Sequence, residues 1–126
     1  MQEPTTLQDR IERLAAAQQC FKPEAYAFVL DSLNRVMSAF DVRRHVSGEE
    51  LLEGIREHAR ERFGPLAKDV LNAWGVTTTL DFGRIVFHMV EARLLSATPE
   101  DSLSDFVDKF DFTEAFEDNY FENRAR

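Results

Sequence analysis

Cysteine, glycine and proline are all scarce in this sequence of 126 residues, which contains one cysteine, five glycines and four prolines. A lone cysteine, Cys20, can form neither an intrachain disulfide nor a thiolate metal site. No apolar run approaches the roughly 20 residues that a membrane-spanning helix needs. The first residues also lack the basic and apolar regions of a signal peptide. These absences predict a cytoplasmic protein without disulfides or membrane spans.

Basic residues are in the minority, with 15 Lys and Arg against 23 Asp and Glu and a net charge of −8. An acidic surface repels phosphate groups, so the charge disfavours nucleic acid and anionic membranes as partners. Apolar residues, by contrast, make up 44% of the chain and include 11 Phe, which excludes disorder of the whole chain. The length is typical of one domain with its own core, so we expect residues 1–126 to form a single domain.

Apolar residues recur at helical spacing in five stretches, each bounded by signals for a helix start and a helix end. The expected starts are a Thr5–Gln8 capping box, Pro23, a Ser47–Glu50 capping box, Pro65 and Thr79. The expected ends lie near Gln19, Phe40, Gly64, Gly75 and Leu95. Between the second and third stretches, Val42, His45 and Val46 suggest a short extended segment. The sequence therefore predicts an all-α fold of five or six helices, with at most a short two-stranded β element.

The fifth helix, expected over residues 80–95, is the most apolar one. One of its faces carries Phe82, Ile85, Val86, Met89 and Val90, and a second apolar row beside it carries Leu80, Phe87 and Leu94. A helix that is apolar over so much of its surface is normally the buried centre of a bundle. We therefore expect the other helices to pack around helix 80–95.

A narrow polar strip remains on this helix and consists of Asp81, Arg84, His88 and Glu91. The first three are spaced i,i+3 and i,i+4, so their side chains can interact. If the domain has an internal polar site, we expect it to consist of Asp81, Arg84 and His88. The favoured interpretation is structural: Arg84 binds acidic residues of the C-terminal segment and holds that segment in place.

The C-terminal segment, residues 98–126, has nine acidic residues against three basic ones and holds five of the 11 Phe. Acidic residues interleaved with aromatic rings are typical of segments that bind in a partner's groove. Five exposed rings would be costly, however, so docking on the chain's own core is the favoured alternative. The candidate interaction residues are Phe106, Phe110, Phe112 and Phe116.

Two patterns resemble metal or cofactor motifs but lack the context that those motifs require. Asp81-Phe82-Gly83 matches the magnesium-binding tripeptide of protein kinases, although the chain lacks the other kinase motifs. The pairs His58–Glu61 and His88–Glu91 reverse the Glu-x-x-His order of di-metal bundles, and we expect them on solvated helix faces. The sequence therefore indicates no metal site and no cofactor.

A nucleophilic site is equally poorly supported. His45 precedes Ser47 by two residues, but the simpler role for Ser47 is that of a helix N-cap. Cys20 has no evident base beside it and is expected to be a small buried apolar residue. The sequence thus indicates no catalytic residue.

From Leu66 to Val86 the chain has the outline of a helix-turn-helix, in which the fifth helix would enter the major groove of DNA. The residues it would expose there include Thr77, Thr78 and Arg84, of which only the last is basic. Recognition helices usually need several cations to bind phosphates. DNA binding is therefore an alternative and not the favoured function.

Because no catalytic pattern has its required context, we expect a non-enzymatic cytoplasmic module that binds a protein partner. Two alternatives stay open. One is the helix-turn-helix DNA-binding protein, and the other is a small-molecule enzyme or binding protein whose site sequence spacing does not reveal.

Several sequence runs also resemble a known protein family. They are His45-Val46-Ser47-Gly48-Glu49-Glu50-Leu51-Leu52, Phe63-Gly64, Trp74-Gly75, Thr79-Leu80-Asp81-Phe82-Gly83-Arg84-Ile85-Val86-Phe87, Asp105-Phe106 and Asp111-Phe112. In combination, over about residues 21–116, they resemble a small bacterial family of uncharacterised function, seen mainly in planctomycetes and verrucomicrobia. The resemblance implies a soluble single-domain protein and brings no catalytic or binding residue with it.

Overall fold

The computed structural model describes residues 6–41, 44–95, 106 and 109–118, and within them the fold is all-α, as predicted. The bounds of the five α-helices are α1 Leu7–Gln18, α2 Pro23–Ser38, α3 Gly48–Phe63, α4 Ala67–Ala73 and α5 Thr79–Glu91. A 3₁₀ turn at Gly64–Leu66 joins α3 to α4, and a π-helical turn lies at Thr113–Asp118. No helix in the described part of the chain is long and apolar enough to cross a membrane.

The extended segment expected around His45 is not a strand. Residues 44–47 connect α2 to α3 without strand pairing, and the described residues contain no strand at all. The backbone here forms the N-terminal cap of α3 instead, because the Ser47 N–H donates to the Glu50 carboxylate at 3.0 Å. Val46 is buried in the core, and Val42 lies outside the described residues.

Capping boxes start α1 and α3: a hydroxyl and a carboxylate three residues later each bind the other's backbone N–H. The Ser47–Glu50 box of α3 is confirmed. The expected box of α1 is wrong by one residue, since Thr6 and Asp9 form it. A carboxylate is a stronger hydrogen-bond acceptor than the amide expected in its place. Thr5 lies outside the described residues.

The start of α5 also differs from the expectation by one residue. Thr78, not Thr79, is the N-cap, and its Oγ accepts a bond from the Asp81 N–H at 3.4 Å. Thr79 is buried instead, and its hydroxyl donates to the Phe106 carbonyl and accepts from the Lys109 N–H. In a run of three threonines, tertiary partners decide which one caps the helix.

The expected end of α5 at Leu95 is wrong, because the helix ends at Glu91. Arg93 has a left-handed backbone with φ of 63°. The Arg93 N–H donates to the Val90 carbonyl at 3.0 Å, and the Leu94 N–H donates to the Met89 carbonyl at 2.8 Å. This pair of bonds is a Schellman motif, which usually has glycine at the left-handed position. Arginine at that position gave no sequence signal for a helix end.

The central position expected for α5 is not confirmed. Phe87, from its second apolar row, is 50% exposed, whereas Asp81 from its polar strip is buried. The helix α2 packs against α1, α3 and α5 and contributes the fully buried Tyr26 and Val29. The buried face of α5 includes Asp81 because that carboxylate finds hydrogen-bond donors at the start of the helix.

The described Phe residues of the C-terminal segment pack on the chain's own core. Phe106, Phe112 and Phe116 are buried, and Phe110 is partly buried. The ring of Phe106 lies on Gly83 of α5, where a Cβ would come within 2.8 Å of it. Residues 96–105, 107–108 and 119–126 lie outside the described residues.

Candidate functional site

A cleft of about 420 Å³ lies between α2, the start of α3 and the end of α5, and we call it the apolar cleft. Its principal apolar residues are Leu33, Met37, Leu51, Val86, Leu94 and Phe106. Met37 is 41% exposed, so part of this apolar surface faces solvent. Concave apolar surfaces of this size are typical of sites that bind ligands or partner side chains.

Arg44 lines the cleft and is held in place by three neighbours. Its guanidinium lies 3.7 Å from the centroid of the Phe40 ring. It also binds the Glu50 carboxylate through two bonds of 2.6 Å and 3.1 Å, and it donates to the His45 carbonyl at 3.1 Å. Hydrogen bonds from Arg44 and Ser47 lower the pKa of Glu50 to about 2. The Arg44 side chain is therefore preorganised beside the start of α3.

Arg93 lines the opposite element of the cleft, the turn that follows α5. The Schellman motif fixes its backbone, and Arg10 of α1 adds bonds to the carbonyls of Ala92 and Arg93 at 3.3 Å and 3.4 Å. Cations are favoured at this position because the carbonyl end of a helix carries partial negative charge. Two guanidinium groups thus lie close to the same end of α5.

Asp81 and Arg84, two members of the expected polar site, lie together at the start of α5. One Asp81 oxygen accepts bonds from the Thr77 N–H at 2.9 Å and the Thr78 N–H at 3.2 Å, and the other is 3.1 Å from Arg84 Nη1. The Arg84 side chain is 54% exposed, so this ion pair contributes little to stability. Asp81 acts chiefly as the anchor of the helix start.

His88, the third member of the expected polar site, has a different partner. Its Nδ1 lies 2.9 Å from the Tyr26 hydroxyl, and its ring lies beside that of Phe21. Burial lowers the pKa of His88, and the charge of Arg84 lowers it further while that of Glu91 opposes the shift. Burial raises the pKa of Tyr26 to about 12. The acidic residues of segment 98–126, which the sequence favours as partners of Arg84, lie mostly outside the described residues; the described Asp111 and Glu114 form no ion pair with Arg84.

The expectation that His58 lies on a solvated helix face is wrong. His58 is 3% exposed, stacks on Phe28 with ring centroids 4.4 Å apart, and has Nδ1 2.8 Å from the Ser32 hydroxyl. Its Nε2 lies 3.5 Å from an Asp31 oxygen. The sequence held one signal for this pair, because Ser32 interrupts the apolar stripe of α2 at a position that faces the core.

Ser32, His58 and Asp31 contain the residue types of a catalytic triad, but their geometry is structural. Ser32 is fully buried in the middle of α2, and its hydroxyl donates to the Phe28 carbonyl at 2.9 Å. A catalytic nucleophile must reach a substrate and have an oxyanion-binding group beside it. The Ser32 hydroxyl is closed to solvent, so the set serves packing.

The other candidate residues have structural roles or none that the described contacts show. Ser47 caps α3, as expected, and His45 lines the apolar cleft. Cys20 is exposed, which contradicts the expectation of a buried residue. No group of three or more His, Cys, Asp or Glu in the described residues could hold a metal ion.

The outline of a helix-turn-helix is present as α4, a turn and α5. The turn is fixed by Gly75, whose φ is 94°, and by a bond of 2.9 Å from the Val76 N–H to the Leu71 carbonyl. The exposed side chains in the middle and at the end of α5 are Arg84, Phe87 and Glu91. This exposed strip carries one cation and one anion and is a poor match to a phosphate-binding surface.

A scan against protein-family models, a search of curated proteins and a search of solved structures gave no match to this chain. The resemblance to the family seen in planctomycetes and verrucomicrobia therefore stays a prediction.

Proposed function

We propose that this chain is a non-enzymatic protein-interaction module that holds a segment of a partner protein in the apolar cleft. The observation that carries the proposal is the cleft itself. It has a volume of about 420 Å³ and mainly apolar walls, and it lies where three helices meet. Met37 is the exposed apolar side chain among its described lining residues, and binding sites are typically concave and lined mainly by apolar side chains. Phe112 and Phe116 are buried in the chain's own core and Phe106 forms part of the cleft wall, so the cleft replaces the C-terminal rings as the proposed contact surface.

The shape of the cleft favours a protein segment over a small molecule. Met37, Arg44 and Arg93 line the cleft and are exposed to solvent. Small-molecule sites usually enclose 70–90% of their ligand, whereas an open cleft suits a chain that continues beyond it on both sides. A small-molecule site and DNA binding through α4 and α5 remain the alternatives.

Peptide selection tests the proposal. A displayed library of random 16-residue peptides would be selected on the wild-type protein, and the enriched peptides would be measured against two variants. Met37→Glu places a charge in the cleft at a partly exposed position, and Leu66→Glu makes the same change at a site 61% exposed and outside the cleft.

We expect the enriched peptides to lose binding to Met37→Glu and to retain binding to Leu66→Glu. A buried charge without a partner costs several-fold or more in affinity, which makes the two variants easy to separate. Peptides that bind both variants equally, or a library that yields no binders, would overturn the proposal.

A further inference from the structure

The charged residues that line the apolar cleft have the opposite balance to the whole chain. Arg44 and Arg93 line it, and none of the described lining residues is acidic. The chain as a whole has 23 acidic residues against 15 basic ones. The described lining residues of the cleft therefore include basic side chains and no acidic ones, the reverse of the balance in the whole chain.

The structure fixes the backbone of Arg93, the arginine at the end of α5. The left-handed backbone of Arg93 directs the chain away from the helix axis, and Arg10 binds the last carbonyls of the helix beside it. The Arg10 guanidinium thus supplies hydrogen-bond donors to the carbonyls of Ala92 and Arg93. The Arg93 guanidinium itself has no carboxylate partner among the salt bridges of the described residues.

The arginine at the start of α3 adds a second, weaker positive group. The bonds to Glu50 offset the charge of Arg44, but guanidinium has five donors and can bind a further acceptor. Distant acidic residues change this local balance little, because salt screens charges beyond about 8 Å at physiological ionic strength.

We infer that the partner segment carries acidic side chains next to its apolar ones, so that its carboxylates meet Arg93 and Arg44 while its apolar side chains fill the cleft. This inference rests on the proposed function and adds the chemistry of the partner. Complementary charge at the rim of an apolar contact speeds association and selects among partners of similar shape.

The same displayed library provides the test. Peptides enriched on the wild-type protein should have a net negative charge, and their affinity for Arg93→Glu should fall by about fivefold or more, since an attractive contact becomes repulsive.

Lys22→Glu is the matched control, because Lys22 is exposed and does not line the cleft. Affinity for this control should stay within twofold of wild type, by the weakness of remote exposed charges. Binding should also weaken as salt is raised from 50 to 500 mM, as screening requires.

Three results would contradict the inference in distinguishable ways. Enriched peptides that are neutral or basic, but still lose binding to Met37→Glu, would overturn the acidic partner and leave the proposed function standing. Peptides whose binding is insensitive to Met37→Glu would overturn both. Concentration-dependent dimerisation of the wild-type chain that Met37→Glu abolishes would show a second copy as the occupant and overturn the partner segment.

Discussion

At the scale of single residues, the helix bundle encloses a polar pair in its core. His58 and Ser32 bind each other in the core between α2 and α3, stacked on Phe28. Such a pair is stable only while both groups are satisfied, because a buried polar atom without a partner costs about 1–3 kcal/mol. The pair therefore links the stability of the domain to the protonation of His58.

Burial lowers the pKa of His58; the charge of Arg35 adds to this effect, and that of Asp31 opposes it. The unfolded chain, with an ordinary histidine pKa of about 6.5, takes up the proton at higher pH than the folded chain does. We therefore expect the free energy of unfolding to fall as the pH drops from 7.5 to 5. The slope of the free energy of unfolding with pH can reach at most about 1.4 kcal/mol per pH unit for each buried histidine. Urea denaturation at several pH values measures this slope.

Two variants assign the slope to a residue. His58→Gln should destabilise the protein at pH 7.5 and flatten the pH dependence, whereas His88→Gln should remove only the part of the slope that His88 causes. An equally steep slope in His58→Gln would show that other groups cause the acid sensitivity. His88, whose pKa burial also lowers, would account for what remains.

At the level of helices and turns, the end of α5 joins the stability of the fold to the proposed function. Arg93 has a left-handed backbone that costs a residue other than glycine about 1 kcal/mol. Glycine would adopt this conformation without that cost.

We expect Arg93→Gly to raise the free energy of unfolding by about 0.5–1 kcal/mol, because glycine adopts this conformation without strain. Arg93→Ala keeps the strain and should give no such gain. Both variants should bind the acidic peptides less well. Thermal and urea unfolding of the three proteins measure the difference, and a destabilised Arg93→Gly would contradict the assignment of the turn.

Thr79 ties the described part of the C-terminal segment to α5 through two backbone groups, the Phe106 carbonyl and the Lys109 N–H. Thr79→Val keeps the shape and removes both bonds. We expect amide hydrogen exchange of residues 109–116 to speed up, by the equivalent of about 1–3 kcal/mol.

Arg84→Ala provides the comparison for Thr79→Val, because the sequence favours Arg84 as the residue that holds the segment. If Arg84→Ala speeds up the amide hydrogen exchange of residues 109–116 less than Thr79→Val does, Thr79 is the principal anchor of the segment. Unchanged exchange in Thr79→Val would contradict the role given to its hydroxyl.

Local signals in the sequence predicted most of the helices. Pro23, the Ser47–Glu50 box and Gly75 each act through their own backbone or a near neighbour, and each marks a helix boundary in the structure. Arg93 ends α5 through a left-handed backbone conformation, which an arginine in the sequence does not indicate. The orientation of α5 was also beyond prediction, because it depends on partners such as Tyr26, which lies 62 positions from His88.

At the scale of the whole molecule, the fold brings distant parts of the chain into one concave surface. Met37, Arg44, Val86 and Arg93 come from α2, a connector, α5 and its final turn. No spacing rule relates such residues, so the sequence alone could not predict the apolar cleft. The composition does predict a net negative charge for the whole chain. The two arginines of the cleft differ from that overall charge.

Amide chemical-shift mapping tests the central claim, that the apolar cleft is the binding surface, most directly. An enriched acidic peptide would be titrated into the wild-type protein labelled with ¹⁵N. We predict that the shift changes concentrate at residues 33–37, 44–51, 86 and 93–95, and that the same titration of Met37→Glu produces none of them. Changes centred on the exposed strip of α5 around Arg84 and Phe87, with the cleft unaffected, would contradict the account.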